Sequence, residues 1–257
     1  GSTDVTLVTR DWNSAQPDRK VIRCNPFHIG RTWRDWGFAH AACAATRSGF
    51  DLVQSHERIS CCDIYRAGDG VHAQWLKNRA RAISTARRWA TALSPWHLYT
   101  LAAERRLFTS DQLRAVICNS QMVANEIRSR FGVADDKLKV IYNGVDAQRF
   151  HPRLKPAARQ AIRARLGIPD GAFVHLYVGS GFERKGVAQL IQAMRGVREQ
   201  MHLVIVGADR KSGAYQAQAA SAGLGEQIHF AGPQKDIENW YAMADSFVLP
   251  TLYDPFP

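Results

Sequence analysis

Long apolar runs are missing from this 257-residue chain: none approaches the roughly 18 residues that a membrane-spanning helix needs. The first residues show no charged-then-apolar leader, so the cytosol is the default expectation. Cysteine is scarce and odd in number (Cys24, Cys43, Cys61, Cys62 and Cys118), and no Cys-x-x-Cys pair occurs. That speaks against a disulfide framework and against a zinc site with paired ligands, so the five are expected to be reduced core thiols. Asp-x-Asp is absent too, which argues against a divalent ion holding a diphosphate. Acidic residues vanish altogether between Asp69 and Glu104.

What is present is a globular composition, 46% hydrophobic with a formal charge of +11. The excess is uneven: residues 1–150 hold 22 Lys and Arg against 14 Asp and Glu, the remainder 12 against 9. Residues 77–106 concentrate it, with Lys77, Arg79, Arg81, Arg87, Arg88, Arg105 and Arg106 facing Glu104 alone, and Trp75, Trp89, Trp96 and Tyr99 interleaved. Cations attract anionic headgroups, and Trp and Tyr favour the interfacial zone. Residues 75–106 are therefore expected to touch an anionic membrane surface, the alternative being a solvated helix with its tryptophans packed inward.

Short β-branched runs alternate with helix-like stretches along the whole chain. Strands are predicted at 5–9, 21–23, 51–54, 115–118 and 139–142, and helices at 33–48 and after Ser120, which can cap. An Arg- and Ala-rich helix interrupted by Pro156 follows. Strands at 173–178, 201–206, 228–230 and 246–249 then alternate with helices at 187–197, 214–222 and 237–244. This pattern predicts an α/β protein with parallel sheets flanked by helices, in two Rossmann-like domains, 1–151 and 152–257. Ligands in such sheets collect at the carboxyl ends of the strands.

One loop carries phosphate chemistry. The strand ending at Val178 runs into Gly179-Ser180-Gly181-Phe182-Glu183-Arg184-Lys185-Gly186, and a helix follows. Small residues let a ligand approach the backbone, a helix start favours anions, and two cations stand at its mouth. It is neither a Walker A loop nor Gly-x-Gly-x-x-Gly. On spacing alone, a structural turn with a solvated Arg-Lys pair stays equally open.

That loop, followed by Ile205-Val206-Gly207, Phe230-Ala-Gly232, Ala244-Asp245 and Leu249-Pro250-Thr251-Leu252-Tyr253-Asp254-Pro255-Phe256-Pro257, resembles the family-4 retaining glycosyltransferases. Ile117-Cys-Asn-Ser120, Ile141-Tyr-Asn-Gly-Val-Asp146 and Arg149-Phe150 extend the likeness into the first half. Asp63-Ile-Tyr65-Arg66-Ala-Gly-Asp69-Gly-Val-His72 points, within the family, to the lipopolysaccharide-core α-1,3-glucosyltransferase group. The resemblance implies GT-B architecture, with two Rossmann-like domains facing a cleft, and a nucleotide sugar, UDP-glucose above all, as the only cofactor, with no metal. It implies a hexose transferred with retention to a lipopolysaccharide core or other glycolipid at the inner face of the cytoplasmic membrane.

By the same resemblance Arg184 and Lys185 neutralise the leaving diphosphate, while Gly179, Ser180, Gly181 and Gly207 admit the donor. Ile237 meets the base through backbone groups. Asp254 stands where the family carries the first glutamate of a Glu-x7-Glu motif, one methylene shorter, which opens the question of donor preference. Asp69 and His72 are placed near the reacting hydroxyl; His72 either binds donor or acceptor or serves as a structural hydrogen-bonder. The family's first strand with its glycine-rich loop and its second motif glutamate are not found. The chain is thus expected to be part of a longer polypeptide, truncated at both ends and poorly stable or inactive alone. Rival readings are a family-4 enzyme with another donor or acceptor, an inactive module of the same fold and, further off, a basic nucleic-acid-binding protein; nucleic acid is not expected as a partner.

Overall fold

The computed structural model describes residues 3–12 and 20–256. The chain forms two compact units, one running to Asn143 and one from Gly144 to Pro255. Residues 144–151, which the sequence groups with the first half, pack with the second. There Arg149 donates to Glu238 through Nε (3.0 Å) and Nη2 (2.8 Å), and Phe150 meets Tyr241 edge-on.

In the first unit β1 (Thr6–Thr9) and β2 (Lys20–Arg23) pair in parallel. A second parallel sheet has the order β3-β4-β5-β6, built from Gln54–Ser55, Ile64–Ala67, Ala115–Cys118 and Leu138–Val140. Helix α1 (Gly30–Ala45) precedes β3, and α5 (Gln121–Phe131) joins β5 to β6. As the sequence predicts, Ser120 caps α5 by accepting from the Val123 N–H. The basic stretch folds into α2 (His72–Ala80), α3 (Thr85–Ala92) and α4 (Pro95–Phe108). Of these α4 buries Ala103, Leu107 and Phe108, the last two packed with Tyr65, Val116 and Ile127, whereas α3 buries nothing. Strand β4 was not foreseen: its run Ile-Tyr-Arg-Ala is short and interrupted by a cation.

The expectation of five reduced thiols is overturned. Cys43 of α1 and Cys61 form a disulfide, so only Cys24, Cys62 and Cys118 are the buried thiols that the sequence suggested. Eighteen residues separate the pair, a loop closure that contributes about 3 kcal/mol in the chain-entropy view.

The second unit is a sheet of order β10-β7-β8-β9, all parallel: Ser246–Phe247, Phe173–Val178, Met201–Val206 and Ile228–Gly232. Its strands are apolar on both faces because helices cover both. Val174, Leu176, Val204 and Val206 pack on one side with Trp240 and Met243 of α9 (Ile237–Met243) and with α6 (Lys155–Leu166). Tyr177, Leu203 and Ile205 pack on the other with α7 (Val187–Ala193) and α8 (Ser212–Ser221). Pro156 does not interrupt α6. It lies in the first turn, where a missing N–H leaves no helical bond unmade.

A buried ionic knot ties these layers. Arg163 of α6, fully buried, donates to the Ala172 carbonyl (2.7 Å), the Met243 carbonyl (2.9 Å) and Asp245 Oδ2 (2.8 Å). Asp245 also accepts from the Val174 N–H and from Arg159. Burial opposes the Asp245 carboxylate, but the Val174 N–H and the two guanidinium groups outweigh it and hold its pKa down to about 2.

Candidate active site

Four loops of the second unit meet at the carboxyl edge of its sheet. Gly179 follows β7, Gly207 follows β8, the turn before Ile237 follows β9, and residues 248–254 follow β10. The Gly179 N–H donates to the Val206 carbonyl and the Gly207 N–H to the Gly232 carbonyl, so the loops continue the ladder past the strands. Two glycines are obligatory here. At Gly207 (φ +138°) a Cβ would overlap the Gly179 carbonyl, and at Gly186 (φ +78°) it would overlap the Pro250 carbonyl. Ser180 and Gly181 complete the turn, which Asp209 holds by accepting from the Phe182 N–H at 2.8 Å.

Over this floor the structure brings together Arg184, Lys185 and Asp254. Asp254 Oδ2 lies 3.8 Å from Arg184 Nη1 and 3.9 Å from Lys185 Nζ. The closing segment is clipped down by backbone: the Leu252 N–H donates to the Arg184 carbonyl, and Arg184 Nη1 donates to the Tyr253 carbonyl at 3.4 Å. Lys185 passes directly across Gly179, where any Cβ would come within 2.9 Å of its Nζ. Two cations share one carboxylate, which leaves a net positive charge held over a backbone without side chains. Such a place can receive an anion and stabilise negative charge developing on it. Ile237 opens α9, directly after the turn that follows β9, and its half-buried side chain packs on the core.

In the first unit Asp69 and His72 both follow β4, yet they take different environments. Asp69 is exposed, in the turn at Gly68–Gly70. His72 is buried: its ring stacks on Trp75, meets Trp96 edge-on and lies 3.1 Å (Nε2 to Nδ1) from His97. Burial, with Arg58, His97 and Arg31 adding to it, pushes the His72 pKa down to about 3, so the ring is neutral near pH 7.

Two residues that sequence reasoning passed over hold this turn in place. Glu104 of α4, 1% exposed, accepts from the His72 N–H (2.8 Å) and from Arg58 Nε (3.2 Å), and Arg58 also reaches the Gly70 carbonyl. Asn119, after β5, donates from Nδ2 to the Gly68 carbonyl at 3.1 Å. Glu104 stood out in the sequence as the lone acid among cations, and that isolation was the available signal. Around the rings, Arg31 stacks on Trp96 at 3.8 Å, and Trp96 Nε1 donates to Asp35. Trp75 and Trp96 are therefore half-buried members of this cluster. Trp89, Leu93 and Leu98 face solvent, Trp89 beside Arg87 and Arg88 on α3. Among the described residues, no helix is long and apolar enough to cross a membrane.

Comparison with known proteins places the chain. The family profile described as Glycosyltransferase Family 4 matches residues 3–149, and that described as Glycosyl transferases group 1 matches residues 158–257. The chain is 28% identical over 254 residues to a probable transglycosylase of Burkholderia thailandensis, a match covering 97% of this chain and 63% of that protein. It is 22% identical to the lipopolysaccharide glucosyltransferase WaaG of Escherichia coli K12, with 79% of this chain and 54% of that one covered. The crystal structure of WaaG, a glycosyltransferase involved in lipopolysaccharide biosynthesis, matches with a TM-score of 0.80 at 20% identity, covering 98% of this chain and 68% of WaaG. Anabaena HepE in complex with UDP and glucose matches at 0.59 and 20% identity, covering 93% and 62%. These likenesses show the GT-B type of α/β fold, with parallel sheets flanked by helices. The chain spans less than two thirds of the length of both curated relatives.

Proposed function

Because the chain belongs to the family-4 glycosyltransferases, we propose that it serves in the metal-independent, retaining transfer of a hexose, glucose above all, from a UDP-sugar to a lipopolysaccharide-core or other glycolipid acceptor. The observation that carries this reading is the convergence of Arg184, Lys185 and Asp254 over the glycine floor of the second unit. Breaking a bond between sugar and diphosphate places negative charge on the departing oxygen. Arg184 and Lys185 neutralise it, and Asp254, already between them, is placed to take a donor hydroxyl and the positive charge growing on the ring. The departing phosphate accepts the proton of the acceptor hydroxyl on the same face of the sugar. HepE with UDP and glucose, and WaaG by its named role, support the donor and acceptor classes.

The acceptor class also suits the first unit. A helix that buries none of its residues, with Trp89 outward beside Arg87 and Arg88, fits a cytoplasmic anionic membrane surface, where a lipid-linked acceptor would be met. The deciding experiment for the donor is calorimetric titration with UDP, UDP-glucose and GDP in EDTA, repeated on Lys185→Ala. Uridine nucleotides should bind without metal, and the substitution should weaken them roughly 10- to 100-fold, the worth of a charge-assisted hydrogen bond. A folded sample that binds none of them, or binds only with added metal, would refute the proposal.

A further inference from the structure

The Cys43–Cys61 disulfide is not sealed in the core. Both cysteines line a pocket of about 390 Å³ in the first unit, together with Arg47, Arg114, Asp51 and Asp63. The pocket lies at the amino edge of the sheet: Asp63 immediately precedes β4 and Arg114 immediately precedes β5. Asp69 and His72 belong to the opposite, carboxyl edge, so this pocket is separate from the turn that they occupy.

Its charges are arranged in a way a structural disulfide does not need. Asp63 is held by the Val53 N–H at 2.9 Å and by Arg114 Nε at 3.0 Å, which fixes the Arg114 guanidinium at the rim. Arg47 and Asp51 add one exposed charge of each sign. Two guanidinium groups can receive two carboxylates, and Asp51 an ammonium, around a disulfide open to solvent. We propose that this pocket is a thiol–disulfide exchange site for a small zwitterionic peptide thiol bearing two carboxylates, and that Cys43 and Cys61 are its redox partners.

The exchange balances without a further reactant. A ligand thiolate attacks the Sγ of Cys43 or Cys61; the protein S–S bond breaks, and its electron pair leaves on the other cysteine, which takes a proton from water. A second ligand thiolate attacks the ligand sulfur of the mixed disulfide, releasing the oxidised ligand dimer and the second protein thiol. Two ligand thiols are oxidised and one protein disulfide is reduced. The neighbouring Cys62 does not compete, because burial pushes its thiol up to about 11 and its Sγ donates to the Ile59 carbonyl.

Glutathione is the probe, with uncharged 2-mercaptoethanol as its control. On the intact protein, opening of the Cys43–Cys61 bond is followed by counting alkylated cysteines by mass spectrometry. The double variant Arg47→Ala/Arg114→Ala should slow opening by glutathione roughly tenfold, as expected for loss of two exposed charge pairs, and leave the rate with 2-mercaptoethanol unchanged. The Arg47→Lys/Arg114→Lys variant should recover most of the rate, and a glutathione adduct should map to Cys43 or Cys61. Equal slowing with both thiols would overturn the proposal. So would a peptide map in which Cys43 and Cys61 remain unlinked thiols after exposure to oxidised glutathione.

Discussion

In the second unit the edge that carries the charges is drawn from two short stretches, residues 179–186 and 250–254, clipped together by backbone hydrogen bonds. In the first unit the corresponding edge is assembled from residues between Arg58 and Asn119, on two helices and three loops, through the buried His72, Glu104 and Asn119 and the half-buried Arg58 and His97. One edge is specified locally and left polar and open; the other is specified by tertiary packing and closed around an aromatic cluster. The contrast shows why a local motif announces its chemistry while an assembled site does not.

If the second unit owes its open edge to a rigid platform, breaking the platform should have the largest effect of all. Arg163→Ala would leave the Ala172 and Met243 carbonyls without this buried donor and reduce the Asp245 carboxylate to Arg159 and the Val174 N–H. It should cost about 3–5 kcal/mol, read as a lowered urea midpoint. In the first unit the equivalent cut is Glu104→Ala, which unpairs the buried His72 N–H and takes the carboxylate from Arg58, leaving it the Gly70 carbonyl. A loss of about 1–3 kcal/mol is expected in the same assay. Should the two losses come out reversed, the first unit would be the more tightly determined of the pair.

Acid sharpens the comparison. Burial, reinforced by neighbouring positive charge, holds His72 at about 3, and burial with His202 holds His229 at about 4, both from an ordinary 6.5. The unfolded chain therefore takes up these protons first. Stability contributed by the neutral rings is intact above about pH 6.5 and drains away as pH falls through 6.5 toward 3–4, with Asp245 adding its loss only from about 3.8 toward 2. Thermal melting between pH 7 and 4 should fall, and His72→Phe should flatten that fall; a profile unchanged by the substitution would argue against a neutral buried imidazole. The smallest structural effect belongs to Trp89→Ala, within about 0.5 kcal/mol of the parent in melting because α3 buries nothing. Its sedimentation with anionic vesicles should nevertheless drop. Retained binding, or equal binding to neutral vesicles, would remove α3 from the membrane reading.

The alternation of strands and helices after residue 170 was readable because the two central strands there are apolar but for one histidine each and largely buried on both faces, as with Met201–Val206. The glycine loop and its cations were readable for a related reason: the chemistry and the chain continuity coincide. Strand β3 lies later than its predicted 51–54, since Asp51 and Leu52 are exposed and only Gln54 and Ser55 pair with β4. The disulfide escaped because Cys43 and Cys61 have no telling spacing; a helix and a loop bring them together. The roles of Glu104 and Asn119 escaped because their partners, the His72 N–H, Arg58 and the Gly68 carbonyl, lie 32 to 51 residues away in the chain, although the isolation of Glu104 among cations marked it out. Tryptophan gave an ambiguous signal for the same reason: Trp75 and Trp96 point into the cluster, while Trp89 points out.

The knot at Arg163 also has a bearing on birth rather than maturity. Its partner Asp245 lies 82 residues further along the chain, and Val174, which opens the inner strand β7, awaits the same carboxylate from 71 residues away. At roughly 5–20 residues per second of synthesis, β7 waits about 4–14 seconds before its edge neighbour β10 exists. During that interval a guanidinium sits among apolar side chains without its counter-charge, and a central strand offers one bare edge. The contacts of Asp245 with Arg163 and Val174 thus form late in synthesis, and protection of β7 from proteolysis in nascent chains should rise only once residue 245 has left the ribosome.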